Sequence, residues 1–290
     1  MVLDADFLAK LERLTLLSKQ IHRGATSGER RSSRWGHSVE FADYKTYSVG
    51  DDFRYVDWNI FGRLERLFLK LFLEEEDLHV YILIDTSASM NFGTPTKLEY
   101  AAKIAAALAY ISLVNLDRVS VATFNAKLVR MIPPVRGKGQ IFRILKELEQ
   151  LEPKDGTNLH RAAADYSLRI KRTGVALLIS DFLDPQGYQM ALKRFLHRNF
   201  EVFTIHLLSP EEINPTVTGD LKLTDAETGE TCEISTGERT LNAYRRTVQA
   251  FCNEIESYCR KRGIRHIRAT TNIPFEDLIL NYLRHRNFVR

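Results

Sequence analysis

The chain has 290 residues, of which 44% are hydrophobic and 27% charged, a composition typical of globular domains and unlike that of disordered or fibrous chains. Its 41 basic and 37 acidic residues give a formal charge of +4, too small an excess to indicate nucleic-acid binding by itself. The three cysteines form no CxxC pair, which argues against a disulfide framework or a zinc knuckle, and we expect reduced thiols in the cytoplasm.

The N-terminal region, residues 1–36, begins with a predicted amphipathic helix. Its apolar residues recur at spacings of three and four: Leu3, Phe7, Leu11, Leu14, Leu17 and Ile21. We expect this helix to dock on its own domain, because its opposite face mixes acids and bases and lacks the basic stripe of a membrane-surface helix. Early acidic residues argue against a secretory signal, and no run reaches the ~20 apolar residues of a spanning helix. No integral membrane segment is therefore predicted.

The next stretch, 23–34, is a predicted loop rich in Gly, Ser and Arg. We favour a solvated segment over an anion or acidic-partner contact, and we expect no nucleic-acid binding because aromatic residues are not interleaved with the arginines. Residues 37–77 are rich in Phe, Tyr and Val with glycine breaks, which predicts a β-rich segment containing a long strand at 67–73.

Residues 78–290 alternate between apolar runs and helical patterns, which predicts an α/β domain with a doubly wound, mostly parallel sheet. The predicted strands are 79–84, 118–124, 174–180 and 201–208. A capping box, Thr96 to Glu99, marks the start of an alanine-rich helix. A β-hairpin inserted near 216–236 interrupts the pattern, and we expect it to pair with the strands of 39–75 in a small β subdomain.

The stretch VYILIDTSASMNFG, residues 80–93, suggests a binding site because a buried strand ends there in a carboxylate and two alternating hydroxyls. In an open parallel sheet, ligands bind beyond the carboxyl ends of the strands. Asp85, Ser87 and Ser89 offer only oxygen ligands, which suit Mg²⁺ or Mn²⁺ and not zinc. Alone the motif is weak, because Asp and Ser are also common in turns and helix caps.

Two further segments strengthen the hypothesis. Thr157 precedes a predicted helix in KDGTNLH, and Asp181 ends a second apolar strand in LLISDFLD, although each also fits an ordinary cap or turn. In this order the three segments resemble a von Willebrand factor A-type domain, whose metal-ion-dependent adhesion site reads D-x-S-x-S, then Thr, then Asp. The resemblance covers about residues 78 to 210. It implies that Ser87, Ser89 and Thr157 bind the metal directly, while Asp85 and Asp181 supply charge and orientation.

A second resemblance lies upstream, in GDDFRYVDW at residues 50–58. This segment is similar to the signature of the bacterial domain-of-unknown-function 58 family, in which it precedes a von Willebrand A-like domain. The resemblance implies a MoxR-type AAA+ ATPase as partner. For Asp51, Asp52 and Asp57 we expect a turn held by ion pairs with Arg54 or Arg63, rather than a second metal site or a polymerase-like Gly-Asp-Asp; no function is assigned to them.

These residues predict a non-enzymatic, Mg²⁺-dependent module that binds an acidic protein surface, as an adaptor in a chaperone-like or complex-assembly role. Mg²⁺ takes six oxygen ligands, so a position remains open for a partner's carboxylate. The alternative is a metal-dependent phosphohydrolase using Asp85 and Asp181. Against it, Ser87 stands where haloacid-dehalogenase-type enzymes need a second Asp, and Walker A and G-x-S-x-G motifs are missing from the sequence. We expect site substitutions such as Ser87→Ala or Asp181→Ala to leave the fold intact.

Overall fold

The computed structural model describes residues 7, 9–14, 41–72, 78–217 and 219–287. The chain divides into two units, Met1–Arg23 with Leu78–Arg290, and Gly24–Asp77. The predicted basic loop at 23–34 lies outside the described residues.

In chain order, the strands are β1 (Phe41–Thr46), β2 (Phe68–Phe72), β3 (His79–Asp85), β4 (Arg118–Phe124), β5 (Leu128–Arg136), β6 (Val175–Ser180), β7 (Glu201–Leu208), β8 (Gly219–Thr224), β9 (Thr231–Thr236) and β10 (Arg265–Thr270). The helices are α1 (residues 9–14), α2 (Trp58–Leu64), α3 (Lys97–Val114), α4 (Ile141–Glu149), α5 (Leu159–Arg169), α6 (Gln189–His197), α7 (Pro210–Ile213), α8 (Glu238–Lys261) and α9 (Phe275–Asn287). Short 3-10 turns lie at Phe53–Tyr55, Ala88–Asn91 and Lys138–Gln140.

The larger unit is built on a six-stranded sheet with the order β10-β7-β6-β3-β4-β5. Neighbouring strands are parallel, except that the edge strand β5 runs antiparallel to β4. All seven residues of β3 are buried, as expected for a central strand covered on both faces. The predicted α/β class with a mostly parallel sheet is confirmed.

Helices cover both faces of this sheet, and the alternation of side chains along β3 shows how. Val80, Ile82 and Ile84 pack in one hydrophobic cluster with residues of α1, α3, α4 and α9. Tyr81 and Leu83 pack in the other with residues of α5, α6 and α8. A strand whose successive side chains enter opposite cores is therefore fixed in register, because a slip of one residue would exchange the two faces.

The N-terminal helix packs on the larger unit, as predicted. Phe7, Leu11 and Leu14 are buried in the first cluster, and the rings of Phe7 and Phe275 lie 5.3 Å apart. The predicted capping box is also confirmed: the Thr96 side chain accepts from the backbone N–H of Glu99, whose carboxylate accepts from the N–H of Thr96. Both contacts satisfy donors at the start of α3 that the helix itself leaves free.

The hairpin at β8 and β9 differs from the prediction. β8 pairs with β9, and β1 pairs with β2, in two separate two-stranded sheets, so the expected pairing between hairpin and N-terminal strands is not found among the described residues. The hairpin continues directly into α8, since β9 ends at Thr236 and α8 begins at Glu238, and it belongs to the larger unit, whereas β1 and β2 belong to the smaller one.

In the smaller unit, the signature carboxylates form ion pairs and caps, but among the described residues only Asp52 pairs with an expected arginine, while Asp51 and Asp57 pair with lysines. Asp51 pairs with Lys45 at 2.9 Å, and Asp52 pairs with Arg54 at 2.6 Å. Asp57 caps α2 by accepting from two backbone N–H groups, and it also pairs with Lys70 at 3.1 Å. These carboxylates therefore hold a turn together. In the described part of the chain, no helix has the length and apolarity needed to cross a membrane.

Candidate metal centre

The candidate site lies where β3 and β6 end side by side. Because these strands are paired in parallel, their carboxyl ends bring Asp85 and Asp181 to the same edge of the sheet. Ser87 lies at the N-cap position of the 3-10 turn Ala88–Asn91, and Ser89 within this turn places its hydroxyl 2.8 Å from Asp181 Oδ2. Such a turn is a local consequence of polar residues placed directly after a buried strand.

A line of hydrogen bonds links four of the five predicted ligands. The N–H of Ser87 donates to Asp85 Oδ1 at 2.9 Å. The hydroxyl oxygens of Ser87 and Ser89 are 3.1 Å apart, and Ser89 Oγ donates to Asp181 Oδ2 at 2.8 Å. Ser180, which the sequence did not single out, donates to Asp85 Oδ2 at 2.6 Å. The side chains of the two strand ends are thus connected through two serines.

Thr157 lies in a loop that is bonded to the DTSAS segment, and it does not lie at the end of a strand of the sheet as Asp85 and Asp181 do. Its loop is tied to the DTSAS segment by two backbone bonds, from Ala88 N–H to Asp155 O and from Lys154 N–H to Thr86 O, both 2.9 Å long. The cap of α5 is its neighbour Asn158, which accepts from Arg161 N–H, so the alternative role of Thr157 as a cap is not what the structure shows. The hydroxyl of Thr157 donates to Glu227 and not to the other four ligands.

The spacing of these oxygens fits a small hard cation. Mg²⁺ binds oxygens octahedrally at about 2.0–2.1 Å, so neighbouring ligands lie about 3 Å apart. The Ser87–Ser89 and Ser89–Asp181 oxygen pairs are separated by 3.1 and 2.8 Å. The described residues contain no group of three or more His, Cys, Asp or Glu side chains able to hold a metal, so any metal here would depend on the hydroxyls.

The electrostatics at the strand ends also favour a cation. Burial, reinforced by the nearby charge of Asp181, raises the pKa of Asp85 to about 7, although its bond from Ser180 acts in the opposite direction. Two carboxylates that share a dry site repel each other in the ionised form. A divalent cation bound nearby would favour the ionised form of Asp85.

Lys97 is a charged residue at this site that the sequence analysis missed. Its side chain is fully buried, and its Nζ lies 2.7 Å from Asp181 Oδ2 and 2.5 Å from Glu212 Oε1. Burial alone would lower the pKa of Lys97, but the two carboxylates raise it. Glu212 is itself fixed by a capping box with Ser209 at the start of α7. In the sequence, Lys97 is recognisable only as the first residue of the predicted helix α3, and a lysine at such a position is usually solvated.

These contacts correct one expectation. Asp85, Ser87 and Asp181 are all fully buried, so the site is not surface chemistry added to a finished sheet. Asp181→Ala would leave the buried Lys97 ammonium with one carboxylate fewer, and unpaired buried charge is strongly destabilising. We therefore expect Asp181→Ala to destabilise the fold, whereas Ser87→Ala removes only a neutral hydroxyl.

The strand order, the antiparallel edge strand β5 and the D-x-S-x-S turn after β3 define a doubly wound α/β domain of von Willebrand factor A type. The chain belongs to the family described as protein of unknown function DUF58, whose sequence profile matches residues 43–253. This match confirms the family resemblance carried by residues 50–58.

Similar proteins were found by sequence and by structure. The uncharacterized protein Rv1480 of Mycobacterium tuberculosis is 28% identical over 237 residues, which cover 80% of this chain and 74% of that protein. Among solved structures, BatB of Bacteroides thetaiotaomicron has a TM-score of 0.47 at 18% identity, covering 72% of this chain and 99% of that one. The manganese-loaded TRAP protein of Plasmodium vivax has a TM-score of 0.35 at 18% identity, covering 45% and 57%. At this level of similarity neither structure indicates what this chain binds.

Proposed function

We propose that this chain is a non-enzymatic module that binds another protein through a divalent cation, Mg²⁺ or Mn²⁺. Ser87, Ser89 and Thr157 would hold the cation directly, and Asp85 and Asp181 would supply charge and orientation. The observation that supports this proposal is the pair of oxygen–oxygen contacts from Ser87 through Ser89 to Asp181, at 3.1 and 2.8 Å, which have the spacing of octahedral ligands, while Asp85 adjoins them through the backbone N–H of Ser87. The cation would supply a coordination position for a carboxylate from a second protein.

The partner that fits this chemistry is an acidic protein surface. A carboxylate is the side chain that a hard cation prefers, and it would make association depend on the metal. We infer a MoxR-type AAA+ ATPase as that partner from the family resemblance alone, with the chain acting as its adaptor in complex assembly or a chaperone-like role.

The geometry favours binding over phosphoryl transfer. In the phosphohydrolase alternative, Asp85 would attack a phosphate ester or position one. Its carboxylate is fully buried, and its two oxygens already accept hydrogen bonds from Ser87 N–H and Ser180 Oγ. A nucleophile needs an open approach to its reacting atom, which these contacts obstruct.

Calorimetric titration of Mg²⁺ and Mn²⁺ tests the metal site. In a titration extended to millimolar metal, wild type should bind the ion saturably. The Ser87→Ala/Ser89→Ala variant should lose that binding while its circular dichroism spectrum is unchanged. Ser235→Ala, an exposed serine of β9, is the matched control and should bind as wild type. Equal titrations of wild type and the double variant would refute the assignment of these ligands.

Copurification with a MoxR-type ATPase tests the binding function. The ATPase should copurify with the wild-type chain in the presence of Mg²⁺. It should not copurify in excess EDTA or with the Ser87→Ala/Ser89→Ala variant. Retention that persists in EDTA would show that the contact does not use the metal.

A further inference from the structure

The turn of the β8–β9 hairpin places a carboxylate against Thr157, one of the predicted metal ligands. Glu227 Oε1 accepts from the Thr157 hydroxyl at 3.1 Å, and Oε2 accepts from the Thr157 backbone N–H at 3.2 Å. Both carboxylate oxygens therefore face a predicted metal ligand 70 residues away in the chain. The distance between the Thr157 and Glu227 oxygens falls in the same range as those among the serines and Asp181.

Two neighbouring features of the structure position the Glu227 side chain, namely the turn held by Asp225 and the space left by Gly156. Asp225 Oδ1 accepts from the N–H groups of Glu227 and Thr228 at 2.8 and 2.7 Å, which fixes the turn that carries the side chain. On the opposite side, a Cβ added to Gly156 would lie 2.9 Å from Glu227 Oε2. Glycine at this position therefore allows the close approach of the carboxylate.

Packing of the hairpin does not explain this contact. Most residues of β8 and β9 are exposed, so the hairpin contributes little apolar burial that would fix its tip. Thr157, in contrast, is only 7% exposed, and the carboxylate that covers it loses part of its own hydration. Glu227 is held in this position by its two hydrogen bonds from Thr157, so a cation bound at the Thr157 hydroxyl would lie beside its carboxylate.

We infer that Glu227 is a metal ligand supplied by the chain itself, which takes the coordination position beside Thr157 that a partner's carboxylate would otherwise take. This inference rests on the proposed metal-dependent binding function. It makes the hairpin a tethered competitor, because a carboxylate on the same chain has a high effective concentration at the site. A partner binds when its acidic residue and further contacts displace Glu227, so a free carboxylate alone should not compete in the wild type.

Manganese is the probe that distinguishes this arrangement. The water-proton relaxation caused by bound Mn²⁺ rises with the number of exchangeable waters on the ion. We would measure Mn²⁺ affinity and relaxation per bound ion for wild type, Glu227→Gln and Gly156→Ala, with millimolar acetate as the carboxylate probe. Glu233→Gln is the matched control, since it makes the same charge change at an exposed position of the same hairpin.

The expected result is a Mn²⁺ affinity weaker by on the order of tenfold in Glu227→Gln, with a smaller change in the same direction in Gly156→Ala, and higher relaxation per bound ion in both. Acetate should lower that relaxation in these two variants and not in wild type or Glu233→Gln. Affinity and relaxation in Glu227→Gln equal to wild type would overturn the inference and leave the metal site in place. Failure of wild type to bind Mn²⁺ saturably would overturn the proposed function itself.

Discussion

Replacing Lys97 with methionine should reveal how much the fold depends on its buried ion pairs. Lys97 and Asp181 are both fully buried, and Glu212 keeps 16% of its side chain exposed. Removing one partner of a buried pair leaves an uncompensated charge, which costs roughly 3–5 kcal/mol. Methionine has a similar length and no charge, so the loss reflects Asp181 and Glu212 left without their cation. In a domain of this size each kcal/mol lowers Tm by roughly 2–4 °C, so we expect a decrease of roughly 6–20 °C.

The metal should reduce this loss. Ser89 donates to the same Asp181 oxygen that pairs with Lys97, so a divalent cation at the serines would lie close to the unpaired carboxylate. Thermal unfolding followed by circular dichroism, in EDTA and in millimolar Mg²⁺, measures the difference between Lys97→Met and wild type under each condition. The difference in Tm should be smaller in Mg²⁺, because the cation neutralises part of the carboxylate charge that the variant leaves unpaired.

Two controls separate this explanation from a packing defect. Lys103→Met changes a partly exposed lysine on the same helix and should shift stability by less than about 0.5 kcal/mol. Lys97→Met/Asp181→Asn removes both charges of one pair and should recover part of the stability lost in the single variant. A Lys97→Met protein as stable as wild type in EDTA would refute the buried pairs as a stabilising element, and an equal loss in EDTA and Mg²⁺ would refute their proximity to a bound cation.

Two further predictions concern stability alone. Burial, together with the adjacent His266, lowers the pKa of His206 to about 3, below the 6.5 of the unfolded chain, so the unfolded state binds the proton first and the contribution of His206 to stability falls as the pH drops below 6.5. At pH 5 this group should cost about 2 kcal/mol relative to neutral pH, so the stability of His206→Leu relative to wild type should be about 2 kcal/mol greater at pH 5 than at pH 7; an equal difference at both pH values would contradict it. Thr96→Ala removes the cap of α3 and should cost about 1 kcal/mol in urea unfolding without changing the Mn²⁺ titration. Unfolding at the wild-type urea concentration would show that the cap is dispensable.

The strands and helices of the larger unit could be predicted because their signals are local. The apolar run predicted as a strand at 79–84 is β3, His79–Asp85, and the Thr96–Glu99 capping box starts α3 one residue after Thr96. Buried parallel strands show as continuous apolar runs, and caps show as fixed spacings, so neither requires knowledge of distant contacts.

The contacts that give the candidate site its character could not be predicted in this way. Lys97 meets Asp181 across 84 positions and Glu212 across 115, and Glu227 meets Thr157 across 70. In the sequence each of these charged residues is indistinguishable from a solvated one, because its spacing to near neighbours carries no information about its partner. Only the paired ends of β3 and β6, and the position of the hairpin turn, bring these residues together.

The Lys97–Asp181 contact and the Glu227–Thr157 contact therefore differ in what they stabilise. Lys97 holds Asp181 from the core side, through a contact that does not involve a metal, so removing the cation leaves that carboxylate paired. Glu227 contacts Thr157 from the turn of a hairpin whose strands are mostly exposed, so losing this contact would uncover little apolar surface. If the proposed function holds, chelation should abolish partner binding without unfolding the domain, because Lys97 stays paired with Asp181 and Glu212 when no cation is bound. The ion pairs of Lys97 would therefore stabilise the fold whether or not a metal ion is bound at the site.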